Sequence, residues 1–198
     1  MKDIAVYIHW PFCLKKCPYC DFNSHVTHSV DHQKWREAYG KEIDYYADFL
    51  SHQRVTSVFF GGGTPSLMEP KTVEYVLNTL AKKWNLSFEC ESTLEANPTS
   101  IETNKLSDFK SAGINRVSIG VQSLRDSSLS FLGREHSAKE ALQSVKTAAD
   151  IFDRMSFDLI YARPEQTIPE WRDELKEAIS YAKGHLSLYQ LTIEDGRA

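Results

Sequence analysis

The chain has 198 residues, of which 41% are hydrophobic and 25% charged, and these values are typical of a folded globular domain. Its formal net charge is −4 and its basic residues are scattered, which argues against a nucleic-acid partner. No apolar run approaches the roughly 18 residues of a membrane span, and residues 1–9 lack the features of a signal peptide. The composition therefore predicts a cytoplasmic protein without a membrane span.

Short apolar stretches alternate with longer helical patterns along the chain. Strands are predicted at residues 4–9, 55–60, 88–95, 115–121, 155–161 and 186–193. Helices are predicted at residues 30–51, 70–85, 101–112, 138–152 and 168–183. Ser100 is the predicted N-cap of the third helix, and Gly113 lies just past its end. Repeated strand–helix units of this kind predict parallel strands joined by right-handed crossovers.

Polar or glycine-rich clusters follow the predicted strands. They lie at residues 9–13, 61–65, 95–98, 120–123, 158–161 and 194–196. Parallel strands end at the same edge of a sheet, so these clusters predict one site at the C-terminal face, as in β/α barrels. Six strands are too few to close an ordinary eight-stranded barrel. The expected fold is α/β, a partial (β/α)6 barrel with an open side, and a doubly wound open sheet is the structural alternative.

The end of the chain carries a separate expectation. No helical pattern follows the sixth predicted strand, and an uncovered strand at a sheet edge is unusual. We therefore expect residues 1–198 to be one core domain from the N-terminal part of a longer protein. Expressed alone, such a domain is expected to be marginally stable and prone to associate.

Three of the four cysteines lie within eight residues, at Cys13, Cys17 and Cys20 on the loop after the first predicted strand. In a reducing compartment, clustered cysteines indicate metal binding or catalysis rather than disulfides. Three thiolates on one tight loop can bind three irons of a 4Fe-4S cluster and leave the fourth iron without a protein ligand. A metal with an open position can bind a substrate, as catalytic zinc sites do.

A zinc site is the alternative reading of this cluster. Cys17 and Cys20 have the spacing found in zinc knuckles, and His25 and His28 could supply a second ligand pair. Such a site would leave Cys13 and the clusters after the later strands unexplained.

The cysteine spacing, with an aromatic residue at Tyr19, resembles the signature of the radical S-adenosylmethionine (SAM) superfamily. The flanking segments YIHWPFC (7–13), CPYCDFNS (17–24) and GGGTPS (61–66) are similar to the HemN/HemW group, which holds oxygen-independent coproporphyrinogen III oxidases and their relatives. The similarity continues at residues 94–98, 120–123, 132–136 and 158–164 and covers essentially the whole chain. It implies a cluster that binds SAM at its open iron, an electron donor, and reductive cleavage of the sulfonium C–S bond to a 5′-deoxyadenosyl radical.

One position separates the branches of this group. The oxidases carry a fourth cysteine two residues after the third, where this chain has Phe22. The segment DFNS (21–24) resembles HemW, a haem-binding protein regarded as a haem chaperone. The resemblance therefore favours haem binding and delivery of haem to an acceptor protein. A coproporphyrinogen oxidase and an inactive truncated product remain the alternatives, and whether the chain is an enzyme is left open.

Two departures from the group are visible. The group often has Gly-Leu-Pro-Gly-Gln-Thr after its fifth strand, whereas this chain has ARPEQT at residues 162–167. The C-terminal domain that is usual in the group is absent from these residues, so its substrate or haem determinants are not assigned.

Several residues suit SAM by their chemistry. Gly62 and Gly63 allow close approach of the backbone to a ligand, and the Glu95 carboxylate can accept bonds from ribose hydroxyls or an ammonium group. Arg134 can form a fork to a carboxylate, and Asp158 lies in an apolar strand where a charge needs a partner or a ligand. Taken singly, such residues are more often turn, strand-end or surface positions. The resemblance implies SAM contacts at Tyr7, Tyr19, Gly62, Gly63, Thr64, Glu95, Gln122, Arg134, Asp158 and Leu191.

No haem ligand is assigned. His9, His25, His28 and His136 are conceivable ligands of haem or a metal, but such histidines are more often structural or solvated. Cys90 stands alone in an apolar stretch and is expected to be a small buried hydrophobic residue.

Overall fold

Six parallel strands form the central sheet of the computed structural model, which describes residues 2–50 and 52–192. They are β1 (Asp3–Trp10), β2 (Arg54–Gly62), β3 (Asn85–Ala96), β4 (Arg116–Gln122), β5 (Arg154–Tyr161) and β6 (Ser187–Gln190). Each strand pairs in parallel with the next one along the chain. The sheet curls into a half-barrel, which confirms the predicted partial barrel. The doubly wound alternative is wrong, because the strand order of such a sheet reverses at a switch point.

Helices connect the strands and cover the outer face of the sheet. In the described part of the chain they are α1 (His32–Phe49), α2 (Pro70–Lys83), α3 (Ser100–Thr103), α4 (Leu106–Ser111), α5 (Asp126–Phe131), α6 (Ala138–Ile151) and α7 (Ile168–Tyr181). A capping box opens α6, where Ser137 and Glu140 each bond to the other's backbone N–H. None of the helices in residues 2–50 and 52–192 is long and apolar enough to cross a membrane.

The predicted third helix, at residues 101–112, is divided into α3 and α4. Ser100 is the first residue of α3 rather than its N-cap. Thr99 Oγ1 accepts a hydrogen bond from Glu102 N at 3.4 Å and so takes the capping role. Gly113 follows α4 with φ +108°, a left-handed conformation that glycine adopts without strain, so it terminates the helix as predicted.

Side chains alternate between the two faces of each strand, which separates the hydrophobic core from the barrel interior. On β4, Val117 and Ile119 are fully buried in the core, whereas Ser118 and Gln122 line a cavity on the opposite face. Each large apolar side chain buried in this way contributes about 1.5–3 kcal/mol. Strands β2, β3 and β5 add Val58, Phe60, Leu94, Phe157 and Leu159 to the core.

The sixth strand is shorter than predicted. The sequence predicts residues 186–193, whereas β6 spans Ser187–Gln190 and is followed by Leu191, whose N–H donates to Tyr161 O at 2.8 Å. The predicted end of the strand at residue 193 and the cluster at residues 194–196 lie outside the described residues.

Candidate functional site

The three clustered cysteines lie on the loop that follows β1, at the C-terminal edge of the sheet. A short parallel ladder between Phe12–Cys13 and His25–Val26 closes this loop at its base. Within the loop, Cys20 N donates a hydrogen bond to Cys17 O at 3.1 Å, which forms a tight turn. The fold therefore brings the three thiols together in one short, anchored segment.

The cysteine loop borders a cavity of about 340 Å³ at the C-terminal ends of the strands. The cavity receives side chains from the loop and from β3, β4 and β5, as expected for parallel strands that end at one face. Most of the residues predicted to bind the cluster or SAM line it. They are Cys13, Cys17, Tyr19, Cys20, Gly63, Thr64, Glu95, Gln122, Arg134, Asp158 and Leu191.

Tyr7 and Gly62 do not belong to this lining. The Tyr7 side chain on β1 is 58% exposed and stacks on Phe59, with 6.1 Å between ring centroids. Gly62 has φ +114°, and its N–H donates to Glu95 Oε2 at 3.3 Å. Gly62 therefore influences the cavity through its hydrogen bond to Glu95. Direct contacts of Tyr7 and Gly62 with SAM remain predictions.

Glu95 and Asp158, two of the carboxyl residues that line the cavity, have raised pKa values. Burial, reinforced by the charge of Asp158, raises the pKa of Glu95 to about 7, although the Gly62 N–H acts in the opposite direction. Burial also raises the pKa of Asp158, against the lowering effect of the hydroxyl groups of Ser187 and Ser118. Ser118 Oγ donates to Asp158 Oδ1 at 3.3 Å. Near neutral pH, Glu95 can therefore either donate or accept a hydrogen bond.

Arg134 extends across the cavity wall behind the cysteine loop. Its Nη2 donates to Asn97 Oδ1 at 2.6 Å and to Gly120 O at 2.9 Å, and its Nη1 donates to Cys17 Sγ at 3.4 Å. The Nε–H is buried and has no hydrogen-bond partner in the described part of the protein. An unpaired buried donor costs about 1–3 kcal/mol, so an acceptor oxygen of a bound ligand would stabilise this arrangement.

Sequence reasoning did not single out Asn97 or Ser118 as site residues. Asn97 lies two positions after Glu95, and Ser118 alternates with core residues on β4. Both therefore lie on the same face of the strands as the residues predicted to bind SAM. The alternation of side chains along a strand could have placed them on that face. What alternation could not reveal was their partners, which are Arg134 for Asn97 and Asp158 for Ser118.

Backbone strain occurs where β4 meets the cavity. Gln122 has φ +71°, a left-handed conformation that is unfavourable for a residue with a side chain. The next residue, Ser123, donates from Oγ to Glu174 Oε1 at 2.5 Å and accepts from Arg163 Nη1 at 2.7 Å. Arg163 and Glu174 also form a buried ion pair. This network holds the chain immediately beyond Gln122, so it fixes the position from which the Gln122 amide reaches the cavity.

The alternative zinc ligands are not brought together. His25 and His28 are exposed and do not line the cavity that Cys17 and Cys20 border. Within residues 2–50 and 52–192, no three His, Cys, Asp or Glu side chains are close enough to hold a single metal ion. A cubane places each thiolate on a different iron, so its ligands need not converge on one point. Three soft thiols that border one cavity without converging on one point suit a cluster better than a single zinc ion.

His136 and Cys90 have structural positions. Burial lowers the pKa of His136 to about 4, so the ring is neutral, and its Nε2 pairs with Val121 O at 3.0 Å. His9 Nε2 similarly pairs with Asn23 O at 3.0 Å. Cys90 is buried, in agreement with the prediction of a small hydrophobic residue.

Comparison with known proteins agrees with this geometry. The family model of the Radical SAM superfamily matches residues 7–178. The chain is 46% identical to radical S-adenosyl methionine domain-containing protein 1, mitochondrial, of Danio rerio, over 98% of this chain and 44% of that protein. It is 39% identical to the heme chaperone HemW of Haemophilus influenzae, over 98% of this chain and 52% of that protein. The chain thus spans about half the length of the curated relatives it matches.

A solved structure shows the same architecture. The coproporphyrinogen III oxidase HemN from Escherichia coli, a radical SAM enzyme, matches with a TM-score of 0.85 and 25% sequence identity. The match covers 99% of this chain and 48% of that one. The family match spans most of the chain, and the partial barrel carries its cysteine loop at the C-terminal ends of the strands. From this agreement of sequence and fold we conclude that the chain belongs to the radical SAM superfamily.

Proposed function

We propose that the chain binds a 4Fe-4S cluster through Cys13, Cys17 and Cys20, binds SAM in the adjoining cavity, and acts as a HemW-like haem chaperone. The observation that carries this proposal is that the three thiols and the polar residues suited to SAM line one cavity. We further propose that residues 1–198 form the radical SAM core domain. The partners of the protein would be haem, a haem-acceptor protein and an electron donor, and it would be located in the cytoplasm.

The residues of the cavity divide into groups suited to different parts of SAM. Arg134 carries the unpaired Nε–H and would hold the carboxylate of the methionine moiety. Glu95 and Asp158 would accept bonds from ribose hydroxyls or from the amino group. Burial makes these bonds stronger than they would be in water. When bound, the cluster would supply the electron that cleaves the sulfonium C–S bond, and the chain's own part is to orient SAM and exclude water.

The haem-chaperone role is supported by the relatives and by Phe22. HemW of Haemophilus influenzae, named as a heme chaperone, is 39% identical to this chain. Phe22 occupies the position where the oxidases carry a fourth cysteine, and its ring is 55% exposed at the border of the cavity. An apolar ring there offers a contact surface and provides no thiol.

A coproporphyrinogen III oxidase is the second candidate function, favoured by the match to HemN with a TM-score of 0.85. The two functions are separated by adding haem, and then coproporphyrinogen III with SAM and a reductant, to anaerobically reconstituted protein. The chaperone proposal predicts a Soret band on haem addition and no protoporphyrinogen. Formation of protoporphyrinogen without stable haem binding would instead support the oxidase.

A further inference from the structure

A continuous series of hydrogen bonds joins two of the clustered cysteines through Asn97. Thr64 Oγ1 donates to Cys13 Sγ at 3.5 Å, and Asn97 Nδ2 donates to Thr64 Oγ1 at 3.3 Å. On the other side, Asn97 Oδ1 accepts from Arg134 Nη2 at 2.6 Å, and Arg134 Nη1 donates to Cys17 Sγ at 3.4 Å. We call Thr64, Asn97 and Arg134 the Asn97 belt.

The direction of every bond in the Asn97 belt follows from Arg134. A guanidinium group can only donate, so the amide oxygen of Asn97 must face it and the amide NH2 must face Thr64. Thr64 Oγ1 accepts that bond, which leaves its single proton free to point at Cys13. Both ends of the belt therefore present donors to sulfur atoms.

Asn97 is itself held in place by the backbone. Its N–H donates to Glu102 Oε2 at 3.0 Å. Glu102 is 4% exposed, and its carboxylate also accepts hydrogen bonds from the hydroxyl groups of Ser66 and Thr99. The backbone of Asn97 is thus anchored to a buried, multiply bonded carboxylate, and the bond from Arg134 orients its side-chain amide.

We propose that Asn97 is a positioning residue that directs the Thr64 and Arg134 donors onto two cluster ligands and thereby sets the reduction potential of the cluster. This inference rests on the proposed binding of the cluster by Cys13 and Cys17. Hydrogen bonds to the sulfurs of an iron–sulfur cluster are among the factors that set its potential. Donors at the sulfurs stabilise the negative charge that reduction adds, so their removal makes the cluster harder to reduce.

Three substitutions isolate this effect. Thr64→Val removes the hydroxyl proton at nearly constant shape, and Thr64→Ser keeps that proton as the matched control. Asn97→Asp retains the acceptor for Arg134 but replaces the NH2 donor with an acceptor, so the Thr64 proton turns away from Cys13. Because Thr64→Val adds no charge, it separates loss of the hydrogen bond from the added charge of Asn97→Asp.

The test is a redox titration of the reconstituted protein followed by electron paramagnetic resonance, with iron and sulfide contents measured for each variant. We expect the midpoint potentials of Thr64→Val and Asn97→Asp to shift to more negative values, with Thr64→Ser close to wild type. Wild-type potentials in loaded Thr64→Val and Asn97→Asp would overturn the role of the belt and leave the proposed cluster intact. If Thr64→Val does not take up iron, Thr64→Ala, which also removes the hydroxyl without adding charge, decides the comparison. A wild type that binds no cluster would defeat both proposals.

Discussion

A single residue of the cavity, Glu95, makes the stability of the folded protein depend on pH. Its pKa is raised from 4.5 to about 7, first by burial and then by the charge of Asp158. A carboxyl group with a raised pKa in the folded state contributes stability below its unfolded value of 4.5. That contribution is lost as pH rises towards the folded pKa of about 7.

We predict that Glu95→Gln removes this pH dependence. Between pH 4.5 and 7, without added cofactor, the wild type should lose up to about 3 kcal/mol of unfolding free energy relative to the variant. Urea denaturation of both proteins at several pH values measures the difference. The control is Glu89→Gln, which makes the same substitution at an exposed position of the same strand. Its unfolding free energy should follow that of the wild type across the pH range. Parallel curves for wild type and Glu95→Gln would contradict the raised pKa.

Individual site residues differed in how far the sequence could predict them. The cysteines and Gly63 stand in short, dense motifs, and their placement around the cavity could be inferred from the strand ends. Asn97 could not be assigned, because its partners Thr64 and Arg134 are 33 and 37 residues away. Contacts of this kind depend on the register between strands and loops, which no local pattern specifies.

The loop after β5 shows a departure from the group at the scale of an element. Ala162 has φ +57° and Glu165 has φ +60°, and both stand where the resembled group has glycine. In this chain, residues with side chains therefore adopt a left-handed backbone at positions where the group has glycine. This conformation costs a residue with a side chain about 1–2 kcal/mol. Arg163, between them, pairs with buried Glu174 and helps to hold the loop.

We predict that Ala162→Gly stabilises the protein by about 0.5–1 kcal/mol, since relief of strain outweighs the added flexibility of the unfolded chain. Thermal or urea unfolding measures this change. Ala182→Gly is the matched control, because Ala182 has an ordinary φ of −71° and should lose about 0.5–1 kcal/mol on the same substitution. Destabilisation of similar size in both variants would show that Ala162 is not strained.

Among the elements, the long helices and central strands could be predicted from periodicity. Their observed boundaries differ from the predicted ones by only a few residues. The helix predicted at residues 101–112 could not be resolved into α3 and α4, because both are shorter than the window in which a helical period is visible. The short helix α5, Asp126–Phe131, was missed for the same reason.

At the scale of the whole molecule, the order of the strands creates the site. Each strand pairs with its neighbour in the sequence, so every loop after a strand opens at the same face of the half-barrel. The strand–helix repeat was sufficient to predict this arrangement. The volume of the cavity and the separation of Tyr7 from its lining depend on the curvature of the sheet, which the sequence pattern does not encode.

The central claim is that one cavity holds both a 4Fe-4S cluster and SAM. The most direct measurement is the electron paramagnetic resonance spectrum of the reduced, anaerobically reconstituted protein before and after SAM is added. We predict a signal from a cluster of about four irons per chain, a change in that signal when SAM binds, and its loss in Cys17→Ala. Stoichiometric zinc with no uptake of iron, or a cluster signal that SAM leaves unchanged, would contradict the account.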